Sequence, residues 1–451
     1  MPGVAAVKRE LWGGWWPALA FALSAALLAA ALLGHIALPP AHPLHSFRFF
    51  DLKVYRRAAT LVARGGPLYA ARLSHGLGFT YPPFAVLLFM ALRLLSLHGD
   101  ETAVTLLNIT LVVAVAQLAL RLPRPGSAAR APSPSQEAAR RRAAAGWLAA
   151  AAALWAEPVS TAIGYGQIDV LVAVLVVADL ALTGSRQNHQ RDAAGRFGGV
   201  GIGLAAALKL TPLIFIPYLA LTGRGRMAVR ATATFAASIL VGLAVLPGDS
   251  WSYWLERRFM DVTRVTGRHH LAGSGAANQS LHGALLRFFP QAAHQGELWL
   301  AGCLLVGAAG LLLAARACRR GDEAWGFMLT AVTGLLISPV SWTHHWTIAV
   351  AGVIALVGSR GGSILGGLRA ILAVAFGLLA SEIWLVIKLA PGQRLATGEL
   401  LLGDLYVLAA FALIATAALM DLRHTMLVRA AAQSRLAAPA QRLPAAEGTP
   451  V

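Results

Sequence analysis

Four ionisable residues in this sequence stand beside apolar runs. Asp51 follows the first long apolar run, in Phe49-Phe50-Asp51-Leu52-Lys53-Val54-Tyr55. A carboxylate is the simplest proton acceptor for a hydroxyl, so Asp51 suits a general base or a substrate anchor; it equally suits the cap of a helix that starts at Leu52. His344 and His345 sit in Ser338-Pro339-Val340-Ser341-Trp342-Thr343-His344-His345-Trp346, just before another apolar run. They suit a proton relay or a phosphate contact, or plain hydrogen bonding to backbone at a membrane interface. Lys209, one of four lysines with Lys8, Lys53 and Lys388, lies between two short apolar pieces. An ammonium in that place needs a counter-charge, which a phosphate would supply; the alternative is a stem that snorkels to an interface.

Polar and aromatic clusters accompany these four. They include Phe79-Thr80-Tyr81-Pro82-Pro83, Glu157-Pro158, Gly164-Tyr165-Gly166-Gln167-Ile168-Asp169 and Asn278-Gln279-Ser280. Tyr55, Tyr81, Tyr165, Gln167, Asn278, Gln279 and Trp342 are the side chains able to bond a hydroxyl-rich or phosphate-bearing ligand. Tyr81-Pro82-Pro83 and Trp342 also fit interfacial anchors, and the Gly164-Tyr165-Gly166 turn fits a tight connection. The chain has no phosphate-cradling Walker loop, no dinucleotide glycine fingerprint and no Gly-x-Ser-x-Gly elbow, so nucleotide-driven pumping and serine hydrolysis lose support. Adjacent histidines diverge on a helix and no Cys/His partner motif accompanies them, so no metal is expected. The two cysteines, Cys303 and Cys318, are too far apart along one predicted helix to pair.

The elements that must position these groups are membrane helices. Of 451 residues, 57% are hydrophobic and 13% charged, half the charge of an ordinary soluble domain. The net charge of +18 is carried by arginines in short segments between apolar runs. That is the pattern of loops at an anionic cytoplasmic leaflet, and no basic stretch is interleaved with aromatics as nucleic-acid binding would need. The run from Trp15 to Leu38 is long enough to span and too long for a signal peptide. Lys8 and Arg9 place the N-terminus inside.

Further spans are predicted at about 102–121, 143–157, 167–183, 229–247, 297–316, 324–338, 343–358, 366–390 and 401–421. The basic segments 121–142, 186–196, 224–230, 319–320, 360–369 and the tail after Asp421 share one side under two conditions. The Pro-led run 82–97 must not cross, and 198–222 must enter and leave on the same side. Pro212 cannot continue a helical ladder, so 198–222 is expected to be a broken helical hairpin with Lys209 near its tip. Such breaks are tolerated where they line a cavity. The expectation is about twelve membrane helices, with both termini inside and the polar clusters gathered at the outer face. Residues 1–430 form one membrane domain, and 431–451 a flexible cytoplasmic tail. The long outer loop 248–296, with Trp251, Tyr253, Trp254 and His269-His270, is expected to help choose the acceptor.

Taken in order, the segments resemble the bacterial membrane glycosyltransferases of the GT-C superfold. The specific similarity is to the polyprenyl-phosphate-mannose-dependent α-mannosyltransferases of glycosyltransferase family 87. It is carried by Phe50-Asp51-Leu52-x-Val54-Tyr55, Phe79-Thr80-Tyr81-Pro82-Pro83-Phe84-Ala85, Glu157-Pro158 with Tyr165-Gly166-Gln167-Ile168, Lys209-Leu210-Thr211-Pro212, Asn278-Gln279-Ser280 and Ser338-Pro339-x-Ser341-Trp342-Thr343-His344-His345-Trp346. Gly164 stands where that pattern carries an aspartate.

The resemblance implies an all-α GT-C bundle in the inner (plasma) membrane with its active site on the extracytoplasmic side. It implies a polyprenyl phosphate mannose donor, a glycolipid acceptor of phosphatidylinositol mannoside or lipomannan type, and inverting transfer to an α-(1→2) linkage. Asp51 maps onto the family's essential aspartate, with His344 and His345 as catalytic partners. Lys209, Tyr81 and Gln167 would hold the donor phosphate. Tyr55, Tyr165, Asn278, Gln279 and Trp342 would contact substrate. No cofactor is implied. A lipid-linked sugar transporter would share a broken hairpin and a polar cavity, but it would distribute polar residues toward both faces and carry inverted repeats.

Overall fold

The computed structural model describes residues 49–74, 76–123, 136–183, 197–261, 277–290, 293–357 and 397–437, with a few helical positions between 19 and 26. The expected spans at 15–38 and 366–390, the His269-His270 pair, and the basic stretches 124–135, 184–196 and 358–369 lie outside the described residues. So do residues 438–451.

The described chain is almost wholly helical. In order it comprises α1 (Phe50–Ala63), a small antiparallel pair β1 (Arg72–Ser74) and β2 (Leu77–Gly78), α2 (Pro83–Phe89), α3 (Leu97–Ala119), α4 (Gln136–Leu154), α5 (Glu157–Tyr165), α6 (Asp169–Leu182), α7 (Val200–Leu208), α8 (Phe215–Leu221) and α9 (Gly225–Val245). There follow α10 (Pro247–Trp254), α11 (Leu281–Phe288), α12 (Gln295–Arg319), α13 (Glu323–Ile337), α14 (Thr347–Val357), α15 (Thr397–Gly403) and α16 (Leu405–Ala437). The last helix therefore runs on to Ala437, past the point where the tail was expected to begin.

Among the described residues four helices are long and apolar enough to cross a bilayer: Leu97–Ala119, Gly225–Val245, Gln295–Arg319 and Leu405–Gln433. Each turns much of its apolar surface outward. Leu106, Leu107, Leu240, Leu304, Leu305 and Leu427 are exposed, which in water would be an aggregation liability and in lipid is the favoured contact. This is a membrane protein. α13 is the opposite case: Ala324, Trp325, Phe327, Met328, Leu329, Val332 and Leu336 are all buried, so it is the central helix against which its neighbours pack. The shorter apolar helices include Pro83–Arg93, Thr211–Leu221, Glu323–Ile337 and Thr343–Val357. Eleven residues of helix reach only about 16 Å at 1.5 Å per residue. The 83–93 piece is thus too short to cross alone.

The segment 198–224 goes in and comes back. α7 runs alongside the first half of α9, so close that a Cβ on Gly199 would lie 2.2 Å from the Met227 carbonyl oxygen. Only glycine fits there, and Gly199 also takes φ 102. Asp179, buried near the end of α6, accepts from the Gly199 amide at 2.9 Å and the Ile202 amide at 2.8 Å, tying down the start of α7. The chain leaves α7 at Lys209, whose backbone is extended (φ −151, ψ 131). It turns through a 3-10 stretch over Thr211–Ile214 and returns as α8 to Arg224, which directly precedes α9. Entry and exit therefore both lie at the beginning of α9.

The two ends of the bundle differ in chemistry. At the α9-start end, Arg224 donates to Glu323 at 3.0 Å, Tyr218 donates to the same carboxylate at 2.9 Å, and Arg316 and Arg320 both reach Asp421. Arg319 donates to the Leu221 carbonyl, and the Glu323 amide to the Pro123 carbonyl. At the other end, where Gly242 of α9 meets Pro83, lie the loops that carry the candidate site.

Candidate functional site

The start of α1 docks on the turn between α5 and α6. The Phe49 amide donates to the Gly164 carbonyl at 3.0 Å, and Phe49 takes a left-handed conformation at φ 46. Gly166 is also left-handed (φ 68), and a Cβ on it would stand 2.7 Å from Leu52 Cβ. A strained non-glycine residue next to a functional candidate fits a conformation that the surroundings impose. The N-cap of α1 is Phe49, with no side-chain capping bond, so Asp51 sits inside the first turn. Asp51 is therefore not the cap of this helix.

Gln167 is the hub beside it. Its Oε1 accepts from the Tyr55 hydroxyl at 2.6 Å and the Tyr81 hydroxyl at 2.9 Å, and those two hydroxyls lie 2.7 Å apart. With the oxygen so occupied, its amide nitrogen is the donor that bonds Asp51, and it lies 3.4 Å from His344 Nε2. Asn108, buried on α3, donates to the Gln167 carbonyl at 3.2 Å and fixes the turn.

Lys209 enters from the hairpin break. Its ammonium lies 2.5 Å from Asp169 Oδ1 and 5.9 Å from the centre of the Tyr81 ring. A lysine so paired and set against an aromatic face is held, not snorkelling.

The histidine loop is clamped from two sides. The stretch 277–279 pairs with 341–343: the Gln279 amide donates to Ser341 O at 2.7 Å, the Thr343 amide to Ala277 O at 3.1 Å, and the Ser341 amide to Asn278 Oδ1 at 3.0 Å. From the other side Glu157, 1% exposed, accepts at Oε1 from Thr161 (2.9 Å) and Thr343 (2.8 Å), and at Oε2 from Tyr406 (2.7 Å). Thr347 donates to the Pro158 carbonyl at 3.0 Å. The result is a 3-10 turn over Thr343–Trp346 with the His344 and His345 rings edge-on, centroids 4.7 Å apart, and Tyr165 edge-on to His344 at 5.4 Å.

These elements enclose a cavity of about 1010 Å³. Asp51, Tyr81, Tyr165, Gln167, Lys209, Trp342, His344 and His345 all line it. Three residues expected to contact substrate do not. Tyr55 is buried behind Tyr81 and Gln167 and stacks on Phe89. Asn278 and Gln279 are spent on holding the loops: Gln279 Nε2 donates to the Gly403 carbonyl at 2.5 Å, and its Oε1 accepts from the Tyr406 amide at 3.2 Å. Polar residues at a membrane face read as ligand contacts, yet buried loop backbone consumes such groups first. The cavity also has walls that sequence reasoning did not assign. Arg258, Asp261, His282 and Trp299 stand on it, and Leu213, Ile214, Pro217, Leu311 and Ile337 give it an apolar arm.

The electrostatics favour a base at Asp51. Burial in the wall is the main cause that pushes its carboxyl up to about 7, with the charge of Asp169 adding; the Gln167 hydrogen bond and the Lys209 ammonium pull the other way. A carboxylate poised there is half deprotonated near neutral pH and a stronger base than an ordinary aspartate. Asp169, His344 and His345 each bring one donor atom to within 4.8 Å of the others, a set of types that suits a divalent ion. The Lys209 ammonium already occupies Asp169, however, and a second cation beside it would meet direct charge repulsion. Lys209 is the cation that Asp169 already holds here.

The model of glycosyltransferase family 87 matches residues 79–339. The polyprenol-phosphate-mannose-dependent α-(1-2)-phosphatidylinositol mannoside mannosyltransferase of Mycobacterium tuberculosis is 32% identical over 436 residues, covering 91% of each chain. The enzyme of that name from Mycolicibacterium smegmatis is 33% identical over 398 residues, 83% of this chain and 84% of its own. Among solved structures, ArnT from Cupriavidus metallidurans bound to undecaprenyl phosphate aligns over 89% of this chain and 76% of its own, at 15% identity and a TM-score of 0.39. With a family match through most of the described loops and a relative similar along nearly its whole length, the chain belongs to glycosyltransferase family 87.

Proposed function

We propose that this glycosyltransferase moves mannose from polyprenyl phosphate mannose to a glycolipid of phosphatidylinositol mannoside or lipomannan type, with inversion, to form an α-(1→2) linkage. The observation that carries the reading is the convergence of Asp51 and Lys209 on one cavity with an apolar arm. A base and a fixed cation are what transfer from a sugar phosphate needs, and the apolar walls would take a polyprenyl chain. The named activity of the two mycobacterial relatives supports the same substrate class.

In this scheme an Asp51 carboxylate oxygen removes the proton from the acceptor hydroxyl as that oxygen attacks the anomeric carbon. The bond from that carbon to the phosphate oxygen breaks, and its electron pair leaves on polyprenyl phosphate. A β-linked donor gives an α-linked product. The leaving group needs charge neutralisation more than a proton, so Lys209 acts on the developing negative charge, with His344 and His345 beside it and Tyr81 and Gln167 as phosphate contacts. Tyr165 and Trp342 would line the sugar. The clustering of polar groups at one end of the bundle, with Arg224, Arg316, Arg319 and Arg320 at the other, fits a GT-C type bundle of about twelve helices in the plasma membrane, its cavity opening on the extracytoplasmic side. Residues 1–430 would form this single domain. A transporter would need polar gates toward both faces.

The test is transfer by membranes containing the protein, supplied with radiolabelled polyprenyl phosphate mannose and extracted mannolipids. Labelled product that α-mannosidase digests is the expected result. No transfer to any mannolipid acceptor, from membranes that contain the folded protein, would overturn the proposal.

A further inference from the structure

Asp169 is a buried ionisable group beside Lys209 that the reaction scheme leaves without a task. It opens α6 and is 5% exposed. One oxygen, Oδ1, holds the Lys209 ammonium at 2.5 Å. The other, Oδ2, is buried and has no hydrogen-bond partner among the described residues. Buried polar atoms are almost always satisfied, so an orphan oxygen points to an occupant beside it.

A second observation supplies the place. A small cavity of about 20 Å³ lies behind Lys209, with Asp169, Lys209, Thr211 and His345 among its lining. That volume is enough for one water. Four polar residues are among its lining, Asp169, Lys209, Thr211 and His345, the last of which bonds the Val340 carbonyl, and a buried water requires two to four polar partners. We propose that Asp169 is a positioning residue of the transfer reaction: one carboxylate oxygen aims the Lys209 ammonium, and the other holds a single buried water that ties Asp169 to His345. A lysine on a four-carbon stem at a helix break has many rotamers. The carboxylate selects one of them, the one that also lies against the Tyr81 ring, and the water extends that hold to the histidine loop.

The inference rests on the assignment of Lys209 to the donor phosphate, and the experiment separates the two. Transfer is measured with membranes carrying wild type, Asp169→Asn, Asp169→Glu, Lys209→Ala, or Asp169→Asn with Lys209→Ala, each normalised to protein present. Asp169→Asn is expected to raise the donor KM about tenfold, the scale of one charge-assisted hydrogen bond, and to leave the acceptor KM unchanged. Asp169→Glu, which keeps the charge, recovers part of the loss. The double variant is no worse than Lys209→Ala alone, because Asp169 acts through Lys209.

The pH profile adds a readout that a merely structural lesion would not move. Asp51 interacts with Asp169, Lys209, Gln167, Tyr55 and Tyr81 and shares the cavity wall with His344, and loss of the Asp169 charge shifts the acidic limb of the rate toward lower pH. A normal donor KM in Asp169→Asn beside an impaired Lys209→Ala overturns the positioning role, as do fully additive losses in the double variant or an unmoved acidic limb. A normal Lys209→Ala instead removes the donor-phosphate reading itself. A structure that resolves waters should show one at hydrogen-bond distance from Asp169 Oδ2; a metal ion there, or no density, overturns the water.

Discussion

At the scale of single residues, Asp51 is set apart by the combination of burial and company. A pKa of about 7 makes the direction of its pH dependence definite. Below that pH the carboxyl carries its proton and cannot take another, so kcat/KM should rise with pH through about 7 and then level off. Asp51→Asn keeps the shape of the side chain and removes the base. It should lower kcat by about 10²- to 10⁴-fold with little change in donor KM; transfer at the wild-type rate would take Asp51 out of the chemistry. Lys209→Ala removes a cation that pulls the Asp51 carboxyl down, so its acidic limb should move to higher pH, opposite to Asp169→Asn. An unmoved limb in both variants would mean that Asp51 is not the group titrating. The sequence made Asp51, Lys209 and the histidines legible because ionisable side chains beside apolar runs demand a reason. Asp169 was passed over because an aspartate at the head of an apolar helix already has one, the helix N-terminus. Tyr55, Asn278 and Gln279 carry the right groups for a ligand, and only their partners across the fold reveal that these groups are already used.

At the scale of elements, the break at Lys209-Leu210-Thr211-Pro212 was readable from proline alone, because its ring removes a ladder bond wherever it falls. The direction of the returning arm was readable only from charge, and the glycine contacts between α7 and α9 give it a physical cause. What local sequence could not supply is the meeting of α5, the histidine loop and α16 at Glu157, since its partners Thr343 and Tyr406 are 186 and 249 residues away. That junction holds the turn bearing His344 and His345 against the cavity. Glu157→Ala would strand three hydroxyl donors and open a hole, a loss of about 3 kcal/mol or more from unsatisfied buried groups. It should lower the Tm of the detergent-purified protein by several degrees and reduce kcat. Glu157→Gln keeps an acceptor for part of the set and should fall between. A Tm for Glu157→Ala equal to wild type would show that the loop is held by the 277–279 pairing alone.

At the scale of the whole molecule, the argument is about sides. Apolar run lengths made the helical membrane architecture plain in the sequence, since the bilayer fixes how long a span must be. Sidedness needs more than length. Arg224, Arg316, Arg319 and Arg320 lie at the end where α9 begins, and the cavity is lined by residues at the other end of α9. Cytoplasmic loops hold the excess of arginine, so the cavity should face outward, where a lipid-borne sugar presented at the outer leaflet would reach Asp51 without crossing the bilayer. α9 and α10 offer a direct check because both ends carry exposed positions: Arg226 at the start of α9, and Glu256 just past α10. The sequence has two cysteines, so a background of Cys303→Ala with Cys318→Ser leaves single introduced thiols to report. In intact right-side-out cells a membrane-impermeant maleimide should label Glu256→Cys at once and Arg226→Cys only after permeabilisation. Labelling of both from outside would mean that α9 does not cross. The reverse order would place the cavity in the cytoplasm, and a donor at the outer leaflet would then lie on the wrong side of the membrane from the base that must act on its acceptor.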